Sequence, residues 1–223
     1  MILLLRGHIR DSFDNDRLYN LVRRIRDVLG NFDIYIHTWH IFQNNLSWRI
    51  NNSNENLVFH DTIYNYFRDL RNMIKCVVIE NDDNIKLHGN LDGLIHYTRA
   101  PIKGWKNYWT GKYNILNHMN NIIADKSVVI VNTRFDIMNN YMSYSESEII
   151  NFIEKNKHKN FNRNVFVDDN KIIGIDNLYM GTLYTQHILA QHFYFNLDDI
   201  IRRSLGVIHQ EELALIENKT LFN

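Results

Sequence analysis

The chain has 223 residues, 45% of them hydrophobic, with 25 Lys plus Arg balanced by 25 Asp plus Glu. That balance excludes nucleic-acid binding driven by bulk charge, while leaving room for a local basic cleft. The single cysteine, Cys76, excludes a disulfide framework and a cysteine zinc cluster, and reads as a small core residue rather than a nucleophile.

The apolar start "MILLL" before Arg6 is too short for a signal peptide or a membrane span, and no later run reaches membrane length. A soluble protein of a reducing, cytoplasmic compartment is expected. No Gly/Ser-rich joint divides the chain, and the only proline is Pro101. Short apolar runs alternate with helical periods, which predicts one α/β domain over residues 1–223 with a mainly parallel central sheet flanked by helices.

In chain order, "ILLL" predicts a first strand ending at Arg6-Gly7-His8. Leu18, Leu21, Val22, Ile25 and Val28 follow at helical spacing, with Gly30 placed to end that helix. "DIYIHTW" (33–39) predicts a second strand, and the Asn-rich stretch from His40 to Asn56 a long loop. Ile63, Phe67, Leu70 and Ile74 mark a helix, "CVVIE" (76–80) a third strand, and residues 81–104 an irregular segment. Trp105 opens a helix carrying Tyr108, Ile115, Met119 and Ile122. "VVIV" (128–131) predicts a fourth strand, and Ser145 with Glu148 a capping box before the next helix. "VFV" (165–167) and "IIGI" (172–175) read as a hairpin, and helices are expected around 178–192, 197–205 and 210–217.

Ligands of open α/β sheets sit outside the carboxyl ends of the strands. Three predicted strand ends are polar there: Arg6, His8 and Arg10 in "RGHIR", His37 and Thr38 before Trp39, and Asn132, Arg134 and Asp136 after "VVIV". Gly7 would let a ligand approach the backbone. Arginine forks suit phosphate, and a carboxylate joins a phosphate only through a cation. Arg134 with Asp136 therefore reads either as a metal–diphosphate site or as a solvated ion pair at a strand end. "WKNYWTGKYN" (105–114) offers Trp105, Tyr108, Trp109 and Lys112 either for a base or sugar ring or, through Trp109 and Tyr113, for the core. Asp176 in "GIDNLYMGT" either caps a helix or serves as a general base. His209 with Glu211 and Glu212 is a weaker grouping of the same kind.

Taken in order, the arginine-bearing first turn, "IHTW", the aromatic helix, "TRFD" (133–136) and "D-N-x-Y-x-G" (176–181) resemble a family of polysaccharide-synthesis glycosyltransferases from low-GC bacteria and large DNA viruses. The resemblance runs over roughly residues 2–217. It implies a glycosyltransferase-A-like fold, a nucleotide-sugar donor, a glycan acceptor, and a cytoplasmic location (the host's, for a viral enzyme). It further implies that Asp136 holds a divalent ion, Mn²⁺ or Mg²⁺, with Arg134 on the diphosphate. Arg6, Gly7, His8, Arg10, Thr38, Trp105, Tyr108, Trp109, Lys112 and Asn132 would line the donor, and Asp176 would meet the acceptor as base if the reaction inverts. Arg134 stands where the general Asp-x-Asp pattern has its first aspartate. A non-catalytic binding domain and a metal-dependent phosphoesterase are the competing expectations.

Overall fold

The computed structural model describes residues 1–43, 54–96, 98, 100–139, 144–167, 174–204 and 206–223. Six strands form one sheet, flanked by helices on both faces. They are β1 (Ile2–Arg6), β2 (Asp33–Trp39), β5 (Ile74–Glu80), β6 (Val129–Arg134), β7 (Val165–Phe166) and β8 (Leu178–Thr182), in the order β5-β2-β1-β6-β8-β7. The first four run parallel, β8 runs antiparallel to β6, and β7 antiparallel to β8. A short antiparallel pair, β3 (Ile41–Gln43) and β4 (Asn54–Leu57), stands where the sequence predicts a loop.

Period-two alternation divides the core into two layers. Leu3 and Leu5 of β1, Ile34 and Ile36 of β2 and Val131 of β6 pack with α1 (Arg17–Leu29), α2 (His60–Phe67) and α4 (Glu146–Asn156). Ile2, Leu4, Tyr35 and Ile130 face α3 (Ile102–Ile122), α5 (Leu183–Arg203) and α6 (Glu211–Leu221). Both faces of the sheet are thus covered, which is why its strands read as continuous apolar runs.

The chain progresses from β1 outward to β2 and β5, then crosses back to β6 on the other side of β1. The reversal puts a crevice between the carboxyl ends of β1 and β6, where Arg6 and Arg134 lie in register. Gly30 closes α1 with a positive φ, and the Ser145–Glu148 capping box opens α4, both as the local sequence predicts.

The C-terminal third departs from expectation. Residues 178–182 are strand β8 rather than the start of a helix, and β7 pairs with β8. Residues 168–173 of the expected hairpin lie outside the described residues. The helices expected around 178–192 and 197–205 are present as two helical runs within α5, from Leu183 and from Leu197, separated by a kink at Asn196 (φ −121°, ψ 15°).

Candidate anion site at the strand-order reversal

Side chains pointing to the α3 face at the β1–β6 crevice form a buried polar cluster. Arg6, 2% exposed, donates from Nε to Asn132 Oδ1 at 2.6 Å and from Nη2 to the Asp176 carbonyl at 2.5 Å. Asn132 is fixed in turn by its Nδ2 donating to Gln186 Oε1 (2.9 Å), and Gln186 Nε2 donates to the Ile130 carbonyl (2.9 Å). The Arg6 guanidinium lies 4.9 Å from the Tyr108 ring centroid. Its Nη1 has no hydrogen-bond partner among the described residues.

Lys112 enters from α3, one turn after Tyr108, and is 1% exposed. Its Nζ lies 4.2 Å over Tyr108, 4.0 Å over Trp109 and 5.0 Å over Tyr179, with no hydrogen-bond partner among the described residues. Burial, and then the charge of Arg6, pull its ammonium well below the usual lysine range, against the pull of Asp176. The Tyr108 hydroxyl donates to Asp176 Oδ2, and burial pushes that phenol well above its ordinary value.

Arg134, at the end of β6, forks onto Asp136, with Nε to Oδ1 and Nη2 to Oδ2 both at 2.7 Å. Its Nη1 donates to Asn177 Oδ1 at 3.2 Å. Arg10, held at φ 55°, donates from Nη1 to the same Asp136 Oδ2 at 2.9 Å. Asp136 is 1% exposed, and both of its oxygens are engaged by guanidinium groups. A divalent ion there would have to displace an arginine and sit among cations, so this donor set does not fit the metal expected at Asp136. Its visible role is to aim Arg134 and Arg10.

Comparison with protein-family models, curated proteins and solved structures returns no match.

Of the residues singled out by sequence, Arg6, Asn132, Lys112, Tyr108, Arg134 and Asp176 meet at this site, with Arg10 and Asp136 at its rim. Trp105 stacks on Tyr108, with ring centroids 4.8 Å apart and an interplanar angle of 8°. Trp109 instead belongs to the core, stacked on Phe193 at 3.9 Å. Thr38 lies one residue out of phase with His37, against which α3 packs so closely that a Cβ on Gly111 would come within 2.5 Å of the ring. The Thr38 side chain therefore faces the opposite layer and leaves the donor set. Gly7 is required by its φ of 90°; a Cβ there would meet nothing within 4 Å, so close approach of other protein atoms is not the reason. Burial, aided by Arg10, lowers the His8 pKa to about 3, and its ring turns toward Trp39 and Asp82. Asp176 lies in a 3-10 turn (Ile175–Asn177) before β8, so helix capping is not its role; Thr182 caps α5.

Sequence reasoning left Tyr179, Asn177 and Gln186 without roles. Asn177 and Tyr179 share one face of the chain entering β8, a period-two signal available in "DNLYMG" once that segment is read as a strand. Glu211, in the first turn of α6, is 7% exposed, and its Oε2 has no hydrogen-bond partner among the described residues. Burial, reinforced by the Asp176 charge, raises its pKa to about 7, offset by its own N–H, that of Gly174, and Arg134. Glu212 turns the other way and ties down the start of the helix, its Oε1 accepting from the His209 N–H at 2.9 Å.

Proposed function

We propose that the chain is a glycosyltransferase that takes a sugar from a nucleoside-diphosphate donor and delivers it to a glycan hydroxyl. The observation that carries this reading is the pair of buried cationic groups, Arg6 Nη1 and Lys112 Nζ, without hydrogen-bond partners among the described residues at the strand-order reversal. A buried donor atom left without an acceptor is costly in a finished fold, and an anionic ligand that accepts from both removes the cost. With Lys112 protonated, the four cations Arg6, Arg10, Lys112 and Arg134 face the carboxylates Asp136, Asp176 and Glu211, leaving one positive charge with Glu211 ionised and two with it protonated. A diphosphate matches that excess, and Trp105 stacked on Tyr108 offers an aromatic neighbour for a base or sugar ring.

In this reading the cations stabilise the charge that grows on the leaving diphosphate as the anomeric carbon–oxygen bond breaks. The acceptor oxygen forms the new bond to the same carbon and gives up its proton. Glu211 is better suited than Asp176 to receive that proton in an inverting reaction. Its Oε2 has no hydrogen-bond partner among the described residues and it titrates near neutrality, whereas Asp176 Oδ2 already accepts from Tyr108. Charge stabilisation and proton transfer are thus both assigned to side chains of this chain.

The test is turnover of a panel of nucleotide sugars with and without oligosaccharide acceptors. Acceptor-dependent release of nucleoside diphosphate is the expected result. Release without an acceptor points to a phosphoesterase, and binding without turnover to a binding domain.

A further inference from the structure

We propose that His40, Asp82 and Asp83, with His8 beside Asp82, bind a divalent transition-metal ion at the carboxyl edge of β1, β2 and β5, apart from Asp136. These residues come from three chain segments that only the sheet order unites. His8 lies two residues past β1, His40 directly follows β2, and Asp82 and Asp83 follow β5. His40, Asp82 and Asp83 each present a ligand atom, all within 4.8 Å of one another.

The spacing distinguishes this cluster from ordinary His–carboxylate pairs in the same molecule. His37 Nε2 stands 2.7 Å from Glu80 Oε2, and His192 Nε2 2.8 Å from Glu217 Oε2, both hydrogen-bonding distances. Around Asp82 the separations are longer: His40 Nδ1 to Oδ1 is 3.5 Å and His8 Nε2 to Oδ2 is 3.9 Å. Donor atoms about 2.1 Å from a tetrahedral centre lie about 3.4 Å from each other, so these gaps suit atoms arranged around a common ion.

The imidazoles are also oriented as ligands. His8 Nδ1 lies 3.4 Å from the Ile41 carbonyl; with its proton there, the lone pair falls on Nε2, the atom facing Asp82. His40 Nδ1 is a buried atom with no hydrogen-bond partner among the described residues. The His40 backbone is pinned on both sides, donating to the Glu80 carbonyl and accepting from the Val58 N–H, each at 2.8 Å. The Asp83 N–H donates to Asn81 Oδ1 at 2.9 Å, which orders the turn carrying both aspartates. A mixed imidazole–carboxylate donor set selects zinc, cobalt or manganese over magnesium and calcium, which prefer all-oxygen shells. The site does not depend on the transferase reading.

The experiment is titration of chelator-stripped full-length protein with Co²⁺, followed by its visible d–d absorption, with Zn²⁺ and Mg²⁺ as competitors. One equivalent of Co²⁺ should bind with a tetrahedral spectrum that Zn²⁺, and not Mg²⁺, displaces. His40→Ala and the exposed, fold-neutral Asp83→Asn should each weaken binding by at least about tenfold, and Asp136→Asn should leave it intact. Circular dichroism checks that each variant is folded. Absence of saturable Co²⁺ binding would overturn the site, as would binding that survives Asp83→Asn and is lost in Asp136→Asn.

Discussion

Glu211 shows how one buried carboxylate reports on the site it faces. Its pKa rises from 4.5 to about 7 in the folded chain, so the folded state holds its proton more tightly than the unfolded state does. The favourable contribution is therefore complete below about pH 4.5 and is lost as pH rises through about 7. Glu211→Gln should raise the melting temperature at pH 8 relative to wild type and leave it nearly unchanged at pH 4, as measured by thermal denaturation across pH. If Glu211 takes the acceptor proton, the same variant should also lose about 10²–10⁴-fold in transfer rate. Asp176→Asn separates the two carboxylates, because asparagine still accepts the Tyr108 hydroxyl bond and only the charge is lost. Its transfer rate should fall less than that of Glu211→Gln; the reverse order in steady-state rates would return the base to Asp176. Asp136 illustrates a limit of reading by residue type. "TRFD" identifies a carboxylate at a strand end, but only the fold shows that Arg134 and Arg10 enclose it.

Among the elements, α3 divides its aromatic residues between core and site. Trp105, Tyr108 and Lys112 follow one another at helical spacing, with Tyr108 and Lys112 turned to the crevice, while Trp109 turns to Phe193. Trp109→Ala should cost about 3–5 kcal/mol in chemical denaturation, as expected for truncating a buried aromatic residue. Both parts of this division were legible as alternatives in "WKNYWTGKYN", because periodicity places residues on faces without saying what each face meets. β8 was not legible. Leu178 and Met180 pack into one layer and Tyr179 into the other, so the strand shows no apolar–polar alternation and runs directly into the apolar pattern of α5. The β3–β4 pair was hidden for another reason: its strands are only three and four residues long, β4 is mostly polar, and Ile41–Gln43 pairs with Asn54–Leu57 across residues 44–53.

For the whole molecule, the decisive feature is the order in which the parallel strands assemble. The ends of β1, β2 and β6 were readable as polar terminations of apolar runs, and as parallel neighbours they share one edge as expected. Sequence does not state which face each polar residue takes, so Thr38 was placed with Arg6 although it points to the other layer. Nor does it show that a lysine would be enclosed at the crevice without a hydrogen-bonding partner. Lys112 tests the site most directly, because a purely structural role and a ligand role predict opposite results. Lys112→Met removes a buried amine without a hydrogen-bond partner among the described residues and keeps the aliphatic packing, so it should stabilise the unliganded protein by about 1–3 kcal/mol. The wild-type ammonium is held well below its usual range by burial, so an arriving anion should raise its pKa and draw a proton from solvent. Calorimetric titration with nucleoside diphosphates, in buffers of different ionisation enthalpy, reads both effects. The expected result is saturable binding with proton uptake that weakens as pH rises, together with an affinity loss of at least about tenfold in a more stable Lys112→Met. No diphosphate binding by the wild type, or unchanged affinity and proton uptake in Lys112→Met, would contradict a diphosphate site at the β1–β6 crevice.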